Sequence, residues 1–350
     1  MLELRSPRNN EAVCLQTDEQ KNFLAEEDRR AALDGALTFR WYDLEKQGID
    51  RSQPQPVTFV WEEVGEEISE DIADACLLVS EYEDMRGAWV YVTEGTSCEV
   101  YNLKVGIRYF WCVQKNGRRS EVSAFRTLPR LPRTLKIDYI SNVRDIGGYK
   151  VEGGAIRQGL VYRGGEFELH MHLTEAGMKE LTRLGIRTEL DMRGEAKDKV
   201  DHTTAEVIGI RRVYVPSVPY TKVFNEEQGP AIKAFFETFT DPCNYPIYFH
   251  CWGGADRAGT FAFILGAFLG MRYEDLINEY EFTSLSIWKT RSRNYGEFRQ
   301  FTELFLSLPG ETMHQKGEAF LKEHAGLTDG QLAAIYDMLV DRAGRPDISE

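Results

Sequence analysis

The chain has 350 residues, with 42 basic against 56 acidic side chains, a formal net charge of -14, and a hydrophobic content of 42%. That apolar content excludes a wholly disordered chain, and the longest run without charged or strongly polar side chains, Ala258 to Met271, is shorter than the roughly 20 residues a membrane span needs. The acidity is spread evenly, with a net of -7 in residues 1–133 and -7 in residues 134–350, and argues against nucleic acid or an anionic membrane as partner.

The N-terminus, MLELRSPRNNEAV, lacks an apolar core before a small-residue cleavage site. It reads as having no signal peptide, so a cytoplasmic location is expected, or export if a leader was trimmed. Residues 18–36 read as helical or poorly ordered. Short β-rich runs then follow: Val57 to Trp61, Cys76 to Ser80, Trp89 to Thr93, Cys98 to Tyr101 and Tyr109 to Val113. Asn116-Gly117 is a hairpin signal, and Glu121 to Phe125 returns. Closely spaced strands with no helical pattern between them predict an antiparallel β-sandwich. Trp61, with the stretch Tyr101-Asn102-Leu103 through Tyr109-Phe110-Trp111, resembles a fibronectin type III domain over about residues 54–128. Of six cysteines, none forms a C-x-x-C pair, so buried free thiols are expected over disulfides or a zinc ribbon.

Pro129 and Pro132 stiffen a linker over 129–135, which divides the chain into an N-terminal all-β immunoglobulin-like sandwich (1–128, with an N-terminal extension) and a second domain (136–350). There the pattern alternates. Strands are predicted at Leu160–Tyr162, Thr188–Met192, Val213–Val215 and Tyr245–His250. Helices are predicted at Thr174–Leu184, with Thr174 as N-cap, at Pro230–Thr240, and after the loop that follows His250. Further helical patterns cover 273–285, 296–307 and 313–340. This predicts an α/β domain with a mostly parallel sheet flanked by helices.

The segment His250-Cys251-Trp252-Gly253-Gly254-Ala255-Asp256-Arg257 joins an apolar strand to an apolar helix. A loop of this length can curl its amides around a phosphate at the helix N-terminus, with the two glycines supplying unusual backbone angles. Arg257 offers a planar fork for two phosphate oxygens, and the same positive surroundings favour a nucleophilic Cys251 thiolate. Spacing alone decides nothing. Cys112 also has an arginine six positions on, Arg118, but there the context is a hairpin and the reading is structural.

With its loop context, this region resembles the cysteine-dependent protein-tyrosine and dual-specificity phosphatases, closest to the bacterial branch with an H-C-x-x-G-x-D-R-[ST]-G loop. Supporting motifs run through Asn142 to Tyr149, Val161 to Glu166, Leu184 to Glu195 and Glu279 to Ser284. The resemblance implies hydrolysis of phosphotyrosine, or of mixed phosphoprotein substrates, through a cysteinyl-phosphate, with no metal or other cofactor. Substrates would be a phosphorylated protein or a small phosphomonoester; nothing names a partner for the sandwich. Cys251 is the implied nucleophile, and Trp252, Gly253, Gly254, Ala255, Asp256 and Arg257 the implied phosphate cradle. Asp256 and Asp191 are both candidates for the general acid, with Glu226 and Glu227 behind them. Asp191 and Arg193 read equally well as a loop-stabilising ion pair. His250 tunes the thiolate or pins the loop. Trp252 lines the pocket or packs in the core. Arg291 and Arg293 reach the rim or are solvated.

Two departures stand out. The hydroxyl usually found after the arginine is Ala258, which predicts weaker support of the thiolate and slower breakdown of the intermediate, with Thr260 two positions on. Ala255 stands where related bacterial loops often have lysine. Two other readings remain: an inositol phosphate or phosphoinositide phosphatase, and a catalytically weak phospho-binding module.

Overall fold

The computed structural model of the protein describes residues 2–25, 50–64, 74–194, 201–288 and 290–342. Two compact units form: residues 1–17 with 54–131, and residues 18–53 with 132–350.

In the first unit, the strand Val57–Glu63 buries Val57, Phe59 and Trp61 on one face and turns the intervening residues outward. This period-2 alternation marks a strand with one face in a core. It pairs antiparallel with Leu2–Ser6 and Ser97–Val100. A second sheet is ordered Glu11–Val13, Ser123–Thr127, Arg108–Lys115, Ala75–Ser80 and Trp89–Thr93. Phe59 packs edge-on against Trp111 and Phe125 in the shared core. Asn116 and Gly117 both take positive φ, as a tight hairpin requires, and join Arg108–Lys115 to Arg118–Arg119. Cys112 is fully buried and its sulfur accepts from Arg119 Nε, a structural position. The six cysteines are free thiols.

In the second unit, a sheet runs Arg133–Thr134, Arg144–Asp145, Val161–Gly164, Ile247–His250, Thr188–Asp191, Arg211–Tyr214. The last four strands are parallel, and the first two join antiparallel. Ile247–His250 lies inside the sheet and is buried throughout, as a strand covered on both faces must be. Its C-terminal end opens into the 251–256 loop, the end where parallel α/β sheets present ligands. The helix Arg257–Leu269 follows, and every residue of it after Arg257 is buried. A helix apolar on all sides belongs in a core. Phe261 stacks with Phe236 and meets Phe235 edge-on, and Phe263 meets Phe298, Phe301 and Phe305 edge-on.

Some elements differ from the sequence reading. The helical pattern over 313–340 is two helices, Met313–Ala325 and Asp329–Leu339. Gly326 takes a left-handed φ of 63° and Thr328 caps the second helix, so the apolar periodicity continues across a real break. Of the N-terminal extension, residues 2–17 belong to the first unit, while the described residues 18–25 and 50–53 join the second. Its helix Asp18–Ala25 sets Phe23 against Phe282 and Leu285, and Gln20 Nε2 donates to the carbonyls of Arg51 (3.0 Å) and Gln53 (2.7 Å). The rest of residues 26–36 lies outside the described residues. Within the expected linker, Arg133 and Thr134 form a buried strand, because Arg133 pairs with Asp145.

Phe235 is fully buried among Phe236, Phe239, Phe249 and Phe261. Phe235→Ala is expected to destabilise this unit by about 3–5 kcal/mol. Urea unfolding followed by tryptophan fluorescence checks the value.

Candidate active site

The loop after His250 is held from outside by its carbonyl oxygens. The Cys251 carbonyl meets His250 Nδ1 at 2.9 Å. The Trp252 carbonyl accepts from the Glu166 amide at 2.8 Å. The Gly253 carbonyl accepts from Asn142 Nδ2 at 2.8 Å, and the Gly254 carbonyl from Arg163 Nη2. In a planar trans peptide the following N–H points opposite the carbonyl. Four successive carbonyls held outward therefore turn the amides of residues 252–255 toward the concave side. The result is a nest for an anion at the start of the helix Arg257–Leu269.

Gly254 has a φ of 63°, and a Cβ there would lie 2.2 Å from the Gly164 carbonyl oxygen. At Gly253 a Cβ would strike the Trp288 indole at 2.6 Å. Both glycines are thus required by close approach, and the first also by its left-handed backbone. Cys251 is buried, and Arg257 opens the helix.

The struts behind the loop carry charge. Arg163 and Arg144 are fully buried and share Glu279, with Arg163 Nη1 at 2.5 Å and Arg144 Nε at 2.8 Å from its two oxygens. Burial pulls Arg163 down to about 10 despite the Glu279 charge. Burial would push Glu279 up, but the two guanidiniums hold it below the usual carboxylate range. Arg144 also bonds Asn142, so it braces the side chain that holds the Gly253 carbonyl.

On the other flank, Asp191 ends its strand with no exposure. It accepts from Arg193 Nε at 2.8 Å and Nη2 at 2.9 Å, and from Arg212 Nη2 at 2.6 Å. Burial alone would raise its pKa; the Arg193 hydrogen bonds and the His250 charge overcome this and hold it far below the usual range. The ion-pair reading of Asp191 and Arg193 is the one the geometry favours. Asp256 is similarly committed. Arg291 grips it through Nε (2.7 Å) and Nη2 (2.8 Å), and the Tyr220 hydroxyl donates to Oδ1. Against the cost of burial, the Arg291 charge and hydrogen bonds, with Tyr220 and Arg257, lower its pKa. Both carboxylates stay ionised, a poor state for a proton donor.

Thr260 is not at Cys251. Its Oγ1 donates to the Asp256 carbonyl at 2.8 Å and accepts from the Tyr220 amide at 2.9 Å, so it does not replace the hydroxyl missing at Ala258. Trp252 is half-buried, with its ring 4.5 Å from the His170 ring. Ala255 is buried. Glu226 and Glu227 are exposed on a short 3-10 turn, Glu226–Gln228. Arg291 reaches the loop through Asp256, and Arg293 pairs with Glu281 and Glu274.

Sequence reasoning gave no role to Tyr220, Glu189 and Trp288: Glu189 lies within the Leu184–Glu195 motif, and the other two lie in no motif. Glu189, fully buried, meets His250 Nε2 at 2.7 Å and accepts from Thr203 at 2.5 Å. Glu189, Asp191 and His250 lie close enough to ligate a metal, but Asp191 already carries two guanidiniums.

A buried cysteine at the start of an amide nest, followed by an arginine at the helix start, defines a protein-tyrosine phosphatase-like phosphoric monoester hydrolase. The chain belongs to the tyrosine phosphatase family, whose family model matches residues 135–341. A Cupriavidus necator protein named "Putative tyrosine-protein phosphatase" is 26% identical over 193 residues, covering 45% of this chain and 69% of its own length. The core catalytic domain of the S. cerevisiae PP-IP phosphatase SIW14, solved with citrate, is 17% identical over 41% of this chain and 79% of its own, at a TM-score of 0.30. A fibronectin type III domain from the human KIAA0970 protein is 24% identical over 23% of this chain and 72% of its own, at a TM-score of 0.19.

Burial pushes the His250 imidazole down, but the Glu189 hydrogen bond and the charges of Asp191 and Glu189 leave it above its ordinary value of 6.5. A raised value in the folded state contributes stability that is full below that ordinary value and is lost as pH rises through the raised one. Glu189→Gln is expected to flatten this fall in unfolding free energy above about pH 6.5. Urea titrations at several pH values across that window check the slope.

Proposed function

We propose that the second unit hydrolyses phosphomonoesters through a cysteinyl-phosphate on Cys251. The observation that carries this is the outward fastening of the carbonyls of residues 251–254, which leaves the amide nest facing Cys251. Cys251 Sγ attacks phosphorus, the P–O bond to the leaving group breaks, and Arg257 with the loop amides holds the equatorial oxygens. Water then attacks phosphorus, the S–P bond breaks, and phosphate departs. Asp256 and Asp191 act as anchors: Asp256 ties the loop to Arg291 and Tyr220, and Asp191 fixes Arg193. His250 pins the loop through the Cys251 carbonyl.

The preferred substrate is phosphotyrosine in a protein, supported by a loop whose only cationic side chain is Arg257 and by the aromatic rings of Trp252 and His170 beside it. Inositol phosphates, with several anionic groups, would face a chain of net charge -14. Ala258 supports one further reading, a weakly catalytic phospho-binding module. We also read the first unit as a fibronectin type III-like module, from its paired sheets around Trp61 and Trp111 and its hairpin at Asn116-Gly117. We also read the sandwich as ending within 129–135, with residues 18–53 grouped with the second unit.

Turnover of p-nitrophenyl phosphate by the purified chain is expected to vanish in Cys251→Ser. Ala258→Thr is expected to raise steady-state turnover several-fold, as its hydroxyl steadies the sulfur leaving group; an unchanged or lower rate would count against this role. In a panel of phosphopeptides and phosphoinositides, phosphotyrosine peptides are expected to give the highest kcat/KM. Phosphopeptide binding without turnover would favour the module.

A further inference from the structure

Asp256 and Asp191 are both committed to guanidinium partners, so a proton for the leaving oxygen has to come from elsewhere. A different titratable side chain stands beside the loop. His170 follows the strand Val161–Gly164, and its ring centroid lies 4.5 Å from that of Trp252, the residue next to Cys251. The Trp288 ring, which covers Gly253, is 6.4 Å away. The segment bearing His170 is fastened to the loop, since the Glu166 amide bonds the Trp252 carbonyl.

The imidazole is aimed. His170 Nδ1 lies 2.6 Å from Glu166 Oε1, and the His170 amide donates to the same oxygen at 2.7 Å. Glu166 has no exposure, and its second oxygen accepts from Arg193 Nη1 at 2.8 Å. A carboxylate paired to a guanidinium only accepts, so Nδ1 carries the proton in this contact. Proton exchange is left to Nε2, which has no hydrogen-bond partner among the described residues, on a side chain that is 45% exposed. A buried carboxylate that orients a half-exposed imidazole at the edge of a nucleophile's loop has the form of an acid–base pair.

We propose that His170, oriented by Glu166, is the proton donor to the leaving oxygen. This rests on the cysteinyl-phosphate reading above. In the first step Cys251 Sγ bonds phosphorus, the P–O bond breaks, and the leaving oxygen takes the proton from Nε2. The imidazolium becomes a neutral imidazole that keeps its Nδ1 proton toward Glu166. In the second step the neutral Nε2 takes a proton from the attacking water as the S–P bond breaks, which restores the starting state.

The test compares two aryl phosphates with the full chain and with His170→Gln. Phenyl phosphate releases a basic phenolate that needs a proton; p-nitrophenyl phosphate releases one that leaves without it. The expected result is a loss in kcat/KM, which reports the first step alone, of roughly 10²-fold or more on phenyl phosphate, with a much smaller loss on p-nitrophenyl phosphate. The ratio of the two rates within one preparation does not depend on the folded fraction, so partial misfolding cannot mimic the effect. Equal losses in kcat/KM on both substrates overturn the proposal and leave His170 as a wall of the site. Cys251→Ser is run alongside. Turnover that survives in that variant overturns the nucleophile reading and this proposal with it; Cys251-dependent turnover with an unchanged ratio overturns this proposal alone.

Discussion

Everything at this site depends on where four carbonyl oxygens point. A loop of small residues has no intrinsic reason to turn its amides to one side, since an isolated chain would hydrate both its donors and its acceptors. His250, Glu166, Asn142 and Arg163 take the acceptors of residues 251–254 one after another from the outside. The donors are then fixed by peptide planarity. Three of these anchors come from distant parts of the chain, on or beside the strands Arg144–Asp145 and Val161–Gly164, and the fourth stands on the strand that feeds the loop. The sheet order places Val161–Gly164 directly beside Ile247–His250 in parallel register, with Gly164 opposite His250. That is why Gly254 can approach the Gly164 carbonyl so closely, and why no larger residue fits at 254.

The charged struts explain how this arrangement stays rigid. Burying Arg144, Arg163 and Glu279 is costly, and an apolar cluster of similar volume could be equally stable. An apolar cluster, however, could not grip a carbonyl oxygen. Arg163 bonds both Glu279 and the Gly254 carbonyl, so the carboxylate fixes the guanidinium and the guanidinium fixes the loop. The same logic runs on the other flank. Asp191 orients Arg193, Arg193 holds Glu166, and Glu166 holds the His170 ring while its own amide holds the Trp252 carbonyl. Each strut is a pair in which one member faces the loop and the other removes its freedom.

Much of this was legible in the sequence, and the illegible part has a common cause. The strand before Cys251, the glycines and the buried helix after it announce themselves through local periodicity and turn chemistry. So do the sandwich strands and the Asn116-Gly117 hairpin. Arg291 also sits in plain view, yet its grip on Asp256 depends on a contact 35 residues away that no local pattern encodes. Tyr220 reaches Asp256 over 36 residues, and Glu189 reaches His250 over 61. A motif specifies which side chains can do the chemistry. Their protonation state is set by partners that only the tertiary fold brings near. This is why Asp256 and Asp191 read as acids from the sequence and as anchored carboxylates from the geometry. The break at Gly326 was missed for a different reason: the apolar stripe on both sides faces one core, so the periodicity masks a capped turn.

The charge balance also takes on a different meaning once the site is placed. The chain carries -14 overall, which slows the approach of any anion from solution. Inside the loop the relevant charges are few and close: Arg257 at the helix start, Asp256 beside it neutralised by Arg291, and behind the loop two guanidiniums sharing one carboxylate, an excess of one positive charge. At short range and with little water between, such charges outweigh distant surface acids that are screened over about 10 Å. An anion the size of one phosphoryl group would gain the whole of this local field. Each further phosphate on the same molecule would lie outside the nest, where it would meet the acidic surface and no matching cation in the loop. On the proposed reading, this makes the site selective by the number of charges as well as by shape, and it does so through residues that never touch the reacting phosphorus.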